Sequence, residues 1–111
     1  MAVHELGITQ SVVETVLETV ESPRITGLQL EIGRISGLVP DSVRFCFDLV
    51  AEGTALEGAR LEIIEPPGRV RCRTCDAEFD VVEMVALCEC GSVDLDVVSG
   101  RQLRIRSVEV Q

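Results

Sequence analysis

Arg71-Cys72-Arg73-Thr74-Cys75 and, after twelve further residues, Cys88-Glu89-Cys90-Gly91-Ser92 hold four of the five cysteines within nineteen positions. Four thiolates at this density suit a zinc ion, which takes four sulfurs in a tetrahedron at about 2.3 Å each. Cys72-x-x-Cys75 has the usual spacing of a zinc knuckle, a tight turn that presents two sulfurs. Cys88-x-Cys90 is one residue shorter, so altered geometry is expected in that half. Gly91 would let the chain turn sharply after the last sulfur. Two disulfides are the first alternative, but they require an oxidising compartment to which nothing else in the chain points. A redox pair at Cys72 and Cys75 is the second, but such a pair usually opens a helix after a strand, and here Val70-Arg71-Cys72 leads into polar, turn-like residues. A closed structural zinc site is preferred. It folds a loop and is not catalytic.

Outward from this cluster, two breaks bracket the stretch. Pro66-Pro67-Gly68 precedes it and Ser99-Gly100 follows it. Within it, Glu78–Val82 reads as a short strand, and Val93, Leu95 and Val97 alternate with Asp94 and Asp96. We expect an insert over residues 69–98, with the two breaks as hinges, carried by an α/β domain of residues 1–68 and 99–111.

The flanking chain supplies that domain. Ile8, Val12, Val13, Val16, Leu17 and Val20 recur at helical spacing, and Ser22-Pro23 should end the helix. Most of these residues are β-branched, so packing rather than propensity must hold the helix. Leu28, Leu30 and Ile32 alternate with Gln29 and Glu31 as a half-buried strand. After the Gly33–Val39 loop, Pro40-Asp41-Ser42 opens a second helix whose apolar face is read as Val43, Phe45, Cys46, Phe47, Leu49 and Val50, with Gly53 closing it. Cys46 reads as a buried, inert thiol. Residues 59–65 form the next strand. Leu103, Ile105, Val108 and Val110 form the last, with a phase change near Ser107 that signals a bulge. The fold class expected is α+β: a three-stranded sheet with two helices on one face, plus an inserted zinc-ribbon-like four-cysteine module.

Composition narrows the function. The 111 residues carry a formal charge of −9, and all ten basic residues are arginine. The balance argues against non-specific nucleic-acid binding, which needs phosphate neutralisation. It suits a protein that handles cations or meets a basic partner. No apolar run approaches the ~20 residues of a membrane span, and no basic-then-apolar leader opens the chain, so a cytoplasmic protein is expected. With one histidine, no nucleophile–base set and no Gly-Lys-Ser phosphate loop, an enzyme is not expected. Arg69, Arg71, Arg73, Arg101, Arg104 and Arg106 flank the insert and form a local basic rim suited to an acidic partner.

The single histidine, His4, lies near the start of the chain. A histidine close to a free α-amine can chelate through the amine, intervening deprotonated amides and imidazole. That square-planar nitrogen set suits Ni(II) or Cu(II), not Zn(II). With Met1 removed, Ala2-Val3-His4 would place the histidine third.

His4-Glu5 near the start, Gln10-Ser11 in the first helix, Gly33-x-x-x-Gly37, Pro40-x-x-x-x-Phe45, Cys90-Gly91-Ser92, and Gly100-x-x-Leu103-x-Ile105 leading to Val108-Glu109 run through essentially the whole chain. Together they resemble the hydrogenase maturation nickel metallochaperone family (HypA/HybF). The resemblance implies Ni(II) as delivered cargo at His4, with Glu5 as the neighbouring carboxylate. It implies structural Zn(II) on Cys72, Cys75, Cys88 and Cys90. It implies two partners, a hydrogenase maturation GTPase and the [NiFe]-hydrogenase large subunit. Some members also serve urease, which would add urease maturation proteins; neither nucleic acid nor membrane is implied. In the family pattern the histidine directly follows the initiator methionine, whereas here Ala2 and Val3 intervene. We expect Val3 to mark the natural start, a GTG codon read as methionine; a natural chain opening Met-Ala-Val or Ala-Val contradicts this. The competing reading is a zinc-ribbon docking adaptor without nickel.

Overall fold

A computed structural model describes residues 3–83 and 86–111, the Val3 side chain excepted. Met1 and Ala2, on which the expected start and an Ala-Val-His chelate bear, lie outside them. The elements run α1 (Val3–Thr19), β1 (Ile25–Ile32), α2 (Pro40–Ala51), β2 (Arg60–Ile64), β3 (Gly68–Cys72), β4 (Glu78–Val81), β5 (Leu95–Ser99) and β6 (Leu103–Val110). Two sheets form, one ordered β2-β1-β6 and one ordered β4-β3-β5. The expected α+β architecture is present, and the insert is itself a three-stranded antiparallel sheet. The radius of gyration is 16.9 Å, against roughly 13 Å for a compact chain of this length.

In the first sheet β1 is central, parallel to β2 and antiparallel to β6. The parallel β1–β2 pair requires a crossover, which α2 provides. Leu28, Leu30 and Ile32 are buried with Val12, Val13 and Val16 of α1 and Val43, Phe47 and Ala51 of α2. A register shift between Ile25 and Gly27 reverses the alternation, so Ile25 joins the same core. A second shift, opposite Ser107 and Ile105, is the bulge expected there. Helix α1 ends at Thr19, three residues before the expected Ser22, because the chain turns early: Ser22 N–H bonds Val20 O and Ser22 Oγ bonds Arg24 O. Within α1, Thr9 and Thr15 return their hydroxyls to the carbonyls of Glu5 and Ser11, which satisfies them inside the helix.

The apolar face expected for α2 needs correction. Cys46 is fully buried and Phe47 and Val43 nearly so, but Phe45 is 56% exposed and Leu49 51%. Their four-residue spacing places both on one side of the helix, away from the core stripe. Six apolar residues in eight positions exceed what one helical stripe can bury. Gly53 (φ +78°) turns the chain after α2 as expected.

The opposite face of the first sheet is polar. Glu31, expected to face solvent, is only 6% exposed. Gln102 Nε2 donates to its Oε2 at 2.8 Å and Arg106 to its Oε1 at 2.6 Å. These bonds, the Gln102 amide first and the Arg106 guanidinium second, hold the Glu31 carboxyl below its ordinary 4.5. The contact therefore stabilises fully above pH 4.5 and fades as pH falls through the lower folded value. The stability difference between the native chain and Glu31→Gln should accordingly be greatest near neutrality and vanish in acid. Urea unfolding at several pH values checks this; a difference unchanged with pH contradicts it.

The two breaks that were expected to act as hinges are fastened to the loop after β1. Arg34 N–H bonds Pro66 O, Ile35 N–H bonds Gly100 O, and Gly33 N–H bonds Gln102 O, each at 2.9–3.0 Å. Gly100 N–H bonds Gln102 Oε1 at 2.7 Å. Three glycines make the close approach: a Cβ on Gly33 would lie 2.0 Å from Gly100 O, and one on Gly100 2.4 Å from Gly68 Cα.

Candidate metal centres

Cys72 ends β3 and enters a turn in which Asp76 N–H bonds Cys72 O and Cys72 N–H bonds Ala77 O. Asp76 takes φ +68°, a left-handed conformation that Asp tolerates better than most side chains. The turn points Cys75 N–H at Cys72 Sγ, 3.5 Å away. The second turn is closed by Gly91 N–H on Cys88 O and Cys88 N–H on Ser92 O, with Gly91 at φ +93°. One side-chain and one backbone bond tie the two halves together: Thr74 Oγ1 donates to Ser92 Oγ at 2.9 Å, and the Arg73 backbone N–H donates to Asp94 O at 3.0 Å.

All four sulfurs lie within 4.8 Å of one another, with Cys72–Cys90 at 3.6 Å and Cys75–Cys88 at 3.5 Å. Sulfurs 2.3 Å from a tetrahedral centre would stand about 3.8 Å apart, so the set fits a zinc-sized ion despite the short Cys88-x-Cys90 spacing. Cys72 and Cys88 are buried, Cys75 and Cys90 exposed. The Cys75 N–H, with further N–H and S–H donors, lowers the Cys72 thiol to about 6. The other three thiols each receive a lowering backbone N–H contact (from Ala77, Cys90 and Ser92 respectively), yet neighbouring sulfurs and burial push all three up. One thiolate forms easily and the rest resist, because negative sulfurs this close repel. A divalent cation at the centre removes that penalty.

His4 and Glu5 lie apart from this cluster, in the first turn of α1. Glu5 is fully buried. It shares the inward stripe with Thr9, Val12, Val13 and Val16. Its Oε2 accepts the Val39 N–H at 2.8 Å. Val39 is the N-cap of α2, extended at φ −98°, ψ 113° as a residue before proline should be. Glu5 thus pins the start of α1 to the start of α2. Its Oε1 has no hydrogen bond and is the one such buried side-chain oxygen or nitrogen among the described residues. His4, exposed on 59% of its side chain, brings Nε2 to 3.4 Å from that Oε1, near enough for attraction but outside hydrogen-bond geometry. A buried acceptor left open beside an exposed imidazole is where a cation would be favoured.

Glu5 was not expected on this stripe, although its i, i+4 spacing to Thr9 and Val13 is a signal for it. Its Val39 partner was not legible, because a backbone N–H carries no residue-specific signal. The basic rim is largely neutralised. Arg69 pairs with Asp80 at 2.9 Å and Glu78 at 3.6 Å, Arg71 with Asp76 at 3.7 Å, Arg73 with Asp94 and Asp96, and Arg106 with Glu31.

Comparison with known proteins agrees across the chain. The family model described as "Hydrogenase/urease nickel incorporation, metallochaperone, hypA" matches residues 3–110. Proteins named hydrogenase maturation factor HypA are similar over 97% of the chain. The one from a Nostoc species is 48% identical over 108 residues, covering 96% of that protein. The one from Geobacter metallireducens is 45% identical over 109 residues, covering 99% of it. Among solved structures, the Ni metallochaperone HypA from Helicobacter pylori superposes with a TM-score of 0.65 at 20% identity, covering 96% of each chain. A second HypA solution structure gives 0.67 at 20% identity, covering all of this chain and 98% of the other. At that identity the two structures speak to the fold alone. The family model and the sequence relatives together make this chain a member of the hydrogenase/urease nickel-incorporation metallochaperone family.

Proposed function

We propose that this chain carries Ni(II) as cargo at His4, beside the Glu5 carboxylate, and holds Zn(II) on Cys72, Cys75, Cys88 and Cys90. The observation that carries the nickel reading is the exposed His4 imidazole 3.4 Å from a fully buried, unbonded Glu5 oxygen. The helix start supports it. The first N–H groups of an α-helix have no intrahelical partner, so the His4 and Glu5 backbone nitrogens at the start of α1 are free of the ladder. Backbone nitrogen and imidazole make the donor set Ni(II) prefers. An exposed terminal site exchanges ligands readily, which suits delivery, whereas four thiolates in a closed set retain their metal. In this reading residues 69–98 are the zinc-bearing unit and residues 1–68 with 99–111 the nickel-bearing unit. The recipient is the [NiFe]-hydrogenase large subunit or a urease maturation protein, reached with a maturation GTPase in the cytoplasm. The chain binds and transfers a metal and catalyses no reaction of its own.

The test is calorimetric titration of Ni(II) into zinc-loaded protein with a defined N-terminus, beside His4→Ala. The expected result is one near-stoichiometric site, weakened at least about tenfold in the variant, with zinc content unchanged. Equal binding by both proteins, or none by either, favours a zinc-bearing docking adaptor instead. Nickel per chain should also fall on mild acidification, because protons compete with the metal for nitrogen donors; unchanged nickel per chain in acid contradicts nitrogen ligation.

A further inference from the structure

The basic rim is not absorbed by either metal site, and the structure divides it. Four of its six arginines are paired with carboxylates. The Arg101 and Arg104 side chains have neither an ion pair nor a hydrogen bond among the described residues, and both are exposed, although the Arg104 charge is near enough to act on Glu31. They stand on one open cleft of about 560 Å³, lined also by Glu31, Gln102 and Val97, Val98 and Ser99 of β5. The Glu31 oxygens in this cleft are already taken by Gln102 and Arg106. The cleft therefore carries surplus positive charge on a chain whose formal charge is −9. Like-charged surroundings make such a patch selective for a negative group that other parts of the chain repel.

The backbone at the cleft is also open on one side. Among the described residues β5 pairs with β3 alone, and β6 with β1 alone, so each is the edge of its sheet. They follow one another in the chain through Gly100–Gln102. Exposed edges are ordinarily blunted by charged side chains, proline, bulges or a covering segment. β5 has a register shift at Val98 and one charged residue, Asp96, which is tied to Arg73, yet it still presents Val98, 56% exposed, and Val97, 37% exposed. Unpaired backbone groups give affinity for an extended strand, and flanking side chains choose its sequence.

We propose that this cleft docks an extended acidic segment of a partner protein, which pairs with the free edge of β5, sets apolar residues on Val97 and Val98, and places carboxylates on Arg101 and Arg104. The proposal stands whether or not His4 takes nickel, because it uses no residue of either metal site.

The probe is a fluorescein-labelled peptide of about ten residues alternating glutamate and valine, followed by fluorescence anisotropy on the full zinc-loaded chain. Binding is expected to weaken with added salt. Arg101→Glu/Arg104→Glu should bind at least about tenfold more weakly. Arg24→Glu changes an exposed arginine of the other sheet's β1 approach and should bind as the native chain does. Arg101→Gln/Arg104→Gln removes charge with little change of side-chain length; it should also weaken binding, and it replaces the reversal variant should that one fail to fold. A peptide with central prolines, which cannot pair with an edge, should lose most of its affinity. The proposal is overturned by no binding at about 1 mM peptide, by equal losses in Arg24→Glu and the paired variants, or by undiminished binding of the proline peptide. It is also overturned if single-stranded DNA of equal charge binds more tightly, or if self-association of the chain blocks the cleft.

Discussion

Cys72→Ser is expected to release zinc and to unfold β3, β4 and β5 while the sheet of β1, β2 and β6 keeps its structure. The insert has little else to hold it. Among its described side chains, Val70, Cys72 and Cys88 are the apolar ones that become buried, and Val82, Leu87, Val93 and Val98 are more than half exposed. Its surface pairs, such as Arg69–Asp80 and Arg73–Asp94, are exposed on both sides, and pairs of that kind contribute at most about 1 kcal/mol each. Structural zinc on four ligands supplies on the order of 10 kcal/mol in small folded units. Cys72 is the right residue to change, since it is the buried thiol with the lowered pKa of about 6 and touches Cys90 at 3.6 Å. The measurement is zinc per chain together with amide spectra of residues 68–99. Collapse of those signals to unfolded positions, with the β1 signals unmoved, is the expected outcome. Native dispersion throughout in a zinc-free variant would mean that the three strands hold without a metal.

The second large effect concerns the junction. Gly33→Ala should cost about 3 kcal/mol or more, because its new Cβ would sit 2.0 Å from the Gly100 carbonyl oxygen and 2.9 Å from Arg101 N. These are backbone atoms, which cannot rotate aside as a side-chain tip would. Relief requires parting the Gly33–Gln102 and Ile35–Gly100 hydrogen bonds, each worth about 1 kcal/mol, and leaves buried groups unpaired. Gly100→Ala should behave likewise, adding strain at φ +110° to a 2.4 Å approach on Gly68 Cα. Gly7→Ala is the control. It lies inside α1 with nothing within 4 Å of the added Cβ, so it should stabilise by roughly 0.5–1 kcal/mol. Urea unfolding measures all three. A loss under about 1 kcal/mol for Gly33→Ala would show that the two sheets are not fastened through this contact.

What could be read from the chain alone divides along physical lines. The sheet, its bulge near Ser107 and the insert were visible because apolar alternation and turn residues are local signals. The cysteine cluster was visible because ligand spacing is itself local. Phe45 and Leu49 were misplaced since six apolar residues in one helix say which could be buried, not which side meets the core. Glu31 looked solvated because its partners lie about seventy residues away, at Gln102 and Arg106. The junction was read as two hinges for a similar reason. Gly33, Gly68 and Gly100 each look like an ordinary loop glycine until the fold brings the three backbones together. Of the candidate nickel site, the His4-Glu5 pair was legible, but its anchoring to the N-terminus of α2 was not.

If cargo nickel is held at the start of α1 and not by the cysteines, amide and imidazole NMR spectra of the zinc-loaded chain, recorded with one equivalent of Ni(II), will show it there. Square-planar Ni(II) is low-spin, so nearby signals shift without being broadened away. Changes are expected at His4, Glu5 and Leu6, and at Val39 through its bond to Glu5, with Cys72, Cys75, Cys88 and Cys90 unmoved. Changes centred on the four cysteines, with His4 and Val39 unaffected, would contradict it.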